Sequence, residues 1–275
     1  MTILNEVLSL ANGKEIPLIG LGTWQMSPEE AEKNVAYALK NGYIHIDTAR
    51  TYENEEGVGR GIKVSGIDRE SFFLTTKVSG NSKSYEEAKR DIEDSLAALD
   101  TPYIDLVIIH APRPWDEMHD ETVKNNYYEE NQQVWKAMEE AYEAGKIKAI
   151  GVSNFEIEDL QNLIETATVP PMLNQIKYHI GHRDEELIQF CQEKDMVVEA
   201  YSPIGTGKLL DNPEIKKIAD KYNRSTAQIA IRYAYQKGLV VLPKSVHEEY
   251  IKENAKVDFE LSIADLDYLN RLVVD

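Results

Sequence analysis

Short β-branched apolar runs alternate with stretches of helical period along almost the whole chain. Parallel strands joined by helices produce that alternation. Eight runs read as strands, at 19–24, 43–49, 72–78, 104–111, 147–154, 172–179, 196–203 and 239–245. Most are near-continuously apolar, as strands covered on both faces should be. Ahead of them, 8–17 carries an Asn12-Gly13 pair between short apolar flanks, the signal of a β-hairpin suited to plugging one end of a barrel.

Helix starts are marked by caps as well as by period. Ser27, Ser84 and Ser225 stand three residues before Glu30, Glu87 and Gln228, the capping-box spacing. After the first, Ala31, Val35, Ala38 and Leu39 share one helical face and Gly42 closes the turn. Two stretches depart from the simple alternation: a long polar, aromatic-bearing segment at 112–128 and an additional helix at 263–272. Loops of that length usually carry function. No linker or break in composition divides the chain. The pattern therefore predicts the α/β class, with 1–275 forming a single (β/α)8 TIM barrel with an N-terminal β-hairpin and extra helices. Active sites of such barrels lie at the C-terminal ends of the strands.

Charge narrows the partners. Of 275 residues, 30 are Lys or Arg and 48 are Asp or Glu, a net −18, and so acidic a surface repels phosphate backbones and anionic lipid. No nucleic-acid or membrane partner is expected, and no apolar run approaches the ~18 residues that would span a bilayer. Cys191 is the only cysteine, so an intrachain disulfide is impossible, and the N-terminus lacks the basic-then-apolar pattern of a secretory signal. The expected setting is the cytoplasm, and the expected state a monomer or weak oligomer.

The runs end in Asp47, Lys77, His110, Ser153 with Asn154, Gln175, Tyr201 with Ser202, and Lys244 with Ser245, which should all face one mouth. Singly, each has an ordinary structural use, since a strand-end Asp caps a helix and a Lys snorkels. The set is harder to set aside. An Asp, a Lys and a His end strands two, three and four, and Tyr52 follows just beyond the Asp. On these residues the sequence resembles the aldo-keto reductase family over nearly its whole length. HIDTARTYENEEGVGRGIK carries Asp47 and Tyr52, LTTKV carries Lys77 and DLVIIHAP carries His110, matching that family's tetrad in identity, order and placement. Within that family it resembles the bacterial 2,5-diketo-D-gluconate reductase-like branch. The resemblance implies NAD(P)H-dependent reduction of small aldehydes or ketones to alcohols.

The residues support the same chemistry. A carbonyl accepting hydride develops alkoxide character, which a positioned proton donor stabilises. Tyr52 can donate. A free phenol titrates near 10, too high for easy transfer near neutrality, and the Lys77 ammonium is expected to depress it. Asp47 would hold the ammonium by a charge-assisted hydrogen bond, and His110 would orient the carbonyl oxygen. No HExxH or CxxC spacing suggests a metal, and His179 with His182 reads as an isolated surface or loop pair.

Cofactor contacts come partly from position and partly from the likeness. Backbone N–H groups in SPIGTGK and PKSVH, after strands seven and eight, suit a pyrophosphate. Tyr201 suits stacking on nicotinamide, with Ser153, Asn154 and Gln175 on its carboxamide. The likeness extends this set to Gly22, Thr23, Trp24, Asp47, Ser202, Ile204, Gly205, Lys244, Ser245, Val246, His247, Tyr250, Glu253 and Asn254. Relatives that prefer NADPH commonly carry Arg at the positions aligned with His247 and Tyr250. Neither is present, which predicts a modest NADPH preference with measurable use of NADH.

Two aromatic positions typical of the branch are replaced here by Ser79 and Ala111. With Trp24, Tyr52, His110 and Trp115 these form the expected substrate-binding set, and the loss of two rings predicts an open, permissive mouth. Two other functions suit such a barrel. One is a lyase or aldolase forming a Schiff base on Lys77, revealed by borohydride trapping. The other is a non-catalytic subunit that senses nicotinamide nucleotide, revealed by binding without turnover.

Overall fold

The computed structural model describes residues 3–118, 120 and 122–274. An antiparallel hairpin of β1 (Val7–Ser9) and β2 (Glu15–Pro17) turns through Gly13 at φ +80°, a left-handed value glycine adopts without a Cβ clash. There follow β3 (Leu21–Gly22), α1 (Pro28–Lys40), β4 (His45–Asp47), α2 (Glu55–Ser65), β5 (Phe73–Val78), α3 (Tyr85–Ala98), β6 (Leu106–Ile109) and α4 (Tyr128–Glu143). The second half runs β7 (Ile150–Ser153), α5 (Ile157–Thr166), β8 (Leu173–Lys177), α6 (Glu185–Glu193) and β9 (Val197–Tyr201). It continues with α7 (Pro213–Tyr222), α8 (Thr226–Gln236), β10 (Val240–Leu242), α9 (Glu248–Asn254) and α10 (Ile263–Arg271).

Strands β3 to β10 pair in parallel in chain order. A parallel bridge between Ile19 and Val241 joins the first to the last and closes the expected barrel. The hairpin lies at its N-terminal end, where Ile16 is fully buried and the Pro17 carbonyl is 3.3 Å from His45 Nδ1. No helix among the described residues is long and apolar enough to cross a membrane.

The capping motifs explain where helices begin. Ser27 and Ser225 form complete capping boxes. Ser84 accepts from the Glu87 N–H, but the Glu87 carboxylate turns instead to the Lys83 N–H and the Ser84 hydroxyl. Helix α7 escaped the hydrophobic pattern. It is an extra helix between β9 and α8, started by Asn212, whose side chain accepts from the N–H groups of Glu214 and Ile215, with Pro213 in its first turn.

Period two sets the interior of the barrel. His45 and Asp47, Thr75 and Lys77, and Glu199 and Tyr201 are alternate residues of their strands, so each pair shares a face. Gln175 of β8 donates to Asp47 of β4, a bond between non-adjacent strands that must cross the inside. That face is therefore polar, and it leads up to the strand ends.

Candidate active site

Asp47 and Lys77 lie on neighbouring strands, and both are buried. The Lys77 ammonium donates to Asp47 Oδ1 at 2.7 Å, to Oδ2 at 2.8 Å and to the Thr48 carbonyl at 2.7 Å. Its three protons are thereby satisfied, which burial of an ammonium requires. Gln175 donates from one amide to Asp47 Oδ2 at 3.0 Å and to Glu199 Oε2 at 2.6 Å. Tyr52 ends a short 3-10 turn, Arg50–Tyr52, that Arg50 ties to Glu55 and Asp94. The turn brings the Tyr52 ring to 4.9 Å from Lys77 Nζ and sets it edge-on to His110, with centroids 5.5 Å apart. The four side chains lie together.

Electrostatics assign their protons. Burial alone would lower Lys77, but the carboxylate of Asp47 and the other nearby acids outweigh it and hold the ammonium above its usual range. Tyr52 is raised, contrary to the expected depression. Burial raises the phenol more than Lys77 lowers it, and Asp47 adds to the rise. Tyr52 thus keeps its proton at neutral pH, beside the charged Lys77. His110 is held well below its ordinary value by burial and by Lys77, so its imidazole is neutral. Beneath them, burial and Asp47 push Glu199 up to about 8, while burial lowers His45 to about 3.

The mouth departs from expectation in one place. Ala111 is fully buried, and a Cβ at Gly80 would lie 3.1 Å from the Ala111 Cβ, so Ala111 packs under the rim instead of lining it. Trp115 stands edge-on to His110 with centroids 5.1 Å apart. An indole from the 112–128 segment thus covers the imidazole, and the mouth is less open than the loss of two rings suggests. Lys83 anchors the start of that segment, donating to the carbonyls of Ala111 and Pro112 and to Asn131 Oδ1. Ser79 sits in the turn after β5, its N–H bound to Asp91. Trp24, just after β3, is 45% exposed.

Comparison with known proteins agrees with this geometry. The aldo/keto reductase family matches residues 18–274. The chain belongs to the aldo/keto reductase family. It is 42% identical to a glyoxal reductase of Bacillus subtilis over 276 residues, covering 100% of this chain and 95% of that protein. Its fold superposes on an aldo/keto reductase of Brucella melitensis with a TM-score of 0.88 at 41% identity, covering 97% of this chain and 98% of the other. An aldo-keto reductase of Bombyx mori solved in complex with NADP gives a TM-score of 0.86 at 31% identity, covering 97% and 92%. As an aldo/keto reductase, the protein is an NADPH-using oxidoreductase that acts on carbonyls.

The remaining strand ends of this aldo/keto reductase form a cradle suited to the dinucleotide. Tyr201 is half-buried and donates to Asn154 Oδ1 at 2.8 Å. Asn154, at φ 61°, also donates to the His110 carbonyl. Ser153 and Gln175 are buried beneath the mouth, with the Ser153 hydroxyl given to the Gln175 carbonyl and the Gln175 amide to Asp47 and Glu199. They support Asn154 and Asp47 instead of presenting free donors to a carboxamide. Thr23 is likewise buried, donating to the Asp47 carbonyl. After β9, positive φ at Ser202, Gly205, Thr206 and Gly207 folds a tight loop beyond Ile204, and no atom lies within 4 Å of where a Gly207 Cβ would be. Gly22 lies against the start of the opposite loop, where a Cβ would be 3.8 Å from Lys244 Cβ. Among the described residues Lys244 has no carboxylate partner. A cation in the loop after β10 suits a pyrophosphate or 2′-phosphate. Ser245 accepts from the His247 N–H, Val246 is half-buried, and Tyr250 stands exposed, edge-on to His247. Glu248 is paired with Lys33 at 3.1 Å and Glu253 with Lys256, while Asn254 is buried.

Sequence reading passed over Glu199, His45, Lys83 and Thr51. Glu199 and His45 interrupt apolar strands two residues before Tyr201 and Asp47 respectively, and the period-two rule marks them as facing the same interior.

Proposed function

We propose that Asp47, Tyr52, Lys77 and His110 form the centre at which this aldo/keto reductase reduces small aldehydes and ketones. The observation that carries the reading is the single cluster formed by a protonated Tyr52, the Asp47–Lys77 pair and a neutral His110. Bound NADPH supplies the hydride. His110 offers an N–H to the carbonyl oxygen and fixes its position against Tyr52. Tyr52 gives its proton to that oxygen as negative charge develops, yielding the alcohol. Lys77 stabilises the phenolate formed, and Asp47 keeps the ammonium charged and oriented until solvent restores the phenol proton. Gln175 holds Asp47 from below.

The substrate we propose is a compact aldehyde of the glyoxal kind. The Bacillus subtilis glyoxal reductase supports this through its likeness, and so does the Trp115 indole standing against His110. In this reading the chain works as one barrel domain in the cytoplasm, as a monomer or weak oligomer, with no nucleic-acid or membrane partner, in keeping with its net −18 charge. A Schiff base on Lys77 finds no support, because all three ammonium protons are engaged and the amine is held charged. The test is consumption of reduced nicotinamide with glyoxal, a long aliphatic aldehyde and a bulky aromatic ketone. The proposal expects the highest kcat/KM with glyoxal, and turnover of none of the three would refute it.

A further inference from the structure

We propose that Thr51 is a positioning residue that fixes which nitrogen of His110 carries its single proton, and so readies the imidazole to hold a carbonyl oxygen. The inference rests on the reading of His110 given above. Thr51 Oγ1 lies 3.0 Å from His110 Nδ1. Among the described residues Nε2 has no hydrogen-bond partner. A neutral imidazole has one donor nitrogen and one acceptor. To give an N–H to a substrate oxygen through Nε2, it must keep a lone pair at Nδ1, and the Thr51 hydroxyl can donate to that lone pair. The opposite tautomer would aim the Nε2 lone pair at the lone pairs of a carbonyl oxygen, which repels the substrate.

The surroundings leave the tautomer as the free variable. The ring itself is held between Tyr52 and Trp115, both edge-on to it. Its backbone is pinned by the His110 N–H to the Val78 carbonyl at 3.0 Å and by Asn154 on the His110 carbonyl at 3.1 Å. Packing therefore sets where the imidazole sits, and among the described residues Thr51 is the one polar side chain that hydrogen-bonds to its ring. Thr51 precedes Tyr52 in the same 3-10 turn, so that turn delivers both the acid and the partner of His110. Thr51 is exposed on its outer side, and its hydroxyl has no other protein partner among the described residues. Replacement by valine therefore keeps the shape and removes one donor.

The test uses protein labelled with 15N-histidine and long-range 1H–15N correlation, which separates an N–H nitrogen from a bare one. The His110→Asn spectrum assigns the signal. Wild type is expected to show His110 as the Nε2–H tautomer, Thr51→Val to shift population toward Nδ1–H, and Thr51→Ser to keep the wild-type pattern. In parallel, Thr51→Val should lower kcat/KM for the aldehyde about tenfold, roughly 1.4 kcal/mol. Thr51→Ser should stay near wild type, and NADPH affinity should be unchanged in both. An Nδ1–H tautomer in wild type, or a Thr51→Val spectrum identical to wild type, would overturn the proposal. The spectrum needs no turnover. A tautomer that follows Thr51 in a protein without carbonyl reductase activity would sink the proposed function and leave this inference standing.

Discussion

Glu199 provides the most quantitative consequence of the structure. It lies fully buried on β9, accepts from Gln175 through Oε2, and among the described residues has no hydrogen-bond partner on Oε1, where His45 Nε2 is 3.7 Å away. Its carboxyl titrates at about 8 when folded against 4.5 as an ordinary glutamate. The folded protein therefore binds this proton more tightly than the unfolded chain. The contribution to stability is intact below pH 4.5, declines as pH rises toward 8, and is lowest above it. At about 1.4 kcal/mol per pH step, the penalty reaches about 3 kcal/mol at pH 7. Glu199→Gln keeps the shape and the acceptor for Gln175 and removes the charge. The variant should melt roughly 6–12 °C above wild type at pH 7, given about 2–4 °C per kcal/mol for a protein of this size. The gap should widen at pH 8 and close below pH 5. Melting curves of both proteins across pH 4.5 to 9 provide the assay. A gap that does not change with pH, or a variant less stable than wild type at pH 8, would refute the reasoning.

Other consequences concern the mouth and the cofactor. Ala111→Trp has no room under Gly80, so it should destabilise the protein by about 1–3 kcal/mol, read by denaturant melts, instead of narrowing selectivity. Trp115→Ala uncovers His110 and should raise kcat/KM for bulky over small aldehydes several-fold, while an unchanged ratio would remove Trp115 from the substrate path. With His247 and Tyr250 in place of two Arg, the adenosine end should favour NADPH over NADH only modestly, about tenfold. In steady-state kcat/KM with both cofactors, Tyr250→Arg should widen that preference and Lys244→Ala collapse it. An unaltered ratio in Lys244→Ala would place the phosphate elsewhere.

The barrel was legible because its strands are short, largely apolar runs separated by helical stretches, and its helices carry their own start signals. Ser27, Ser84 and Ser225 marked three starts that the structure keeps. Helix α7 was lost because its start, Asn212-Pro213, follows a glycine-bearing loop that reads as cofactor-binding turn. The tetrad was legible because strand order alone brings neighbouring strand ends together. What strand order cannot show is which polar residues lie under the rim. Ser153 and Gln175 sit at the correct strand ends yet are buried, and Ala111 follows His110 but packs beneath Gly80. The sign of the Tyr52 shift was also beyond the sequence, since it is decided by burial against one ammonium and residue identity gives only the ammonium.

The central claim is that Tyr52 is the proton donor of a carbonyl reductase. Tyr52→Phe keeps the ring between Lys77 and His110 and deletes the hydroxyl. Loss of reduced-nicotinamide absorbance with glyoxal, measured on folded wild type and variant at pH 7, tests it directly. The account predicts turnover in wild type, a kcat at least ~100-fold lower in Tyr52→Phe, and little change in NADPH affinity, because general acid catalysis contributes about 10² to 10⁴. A variant that reduces glyoxal at near the wild-type rate would contradict it.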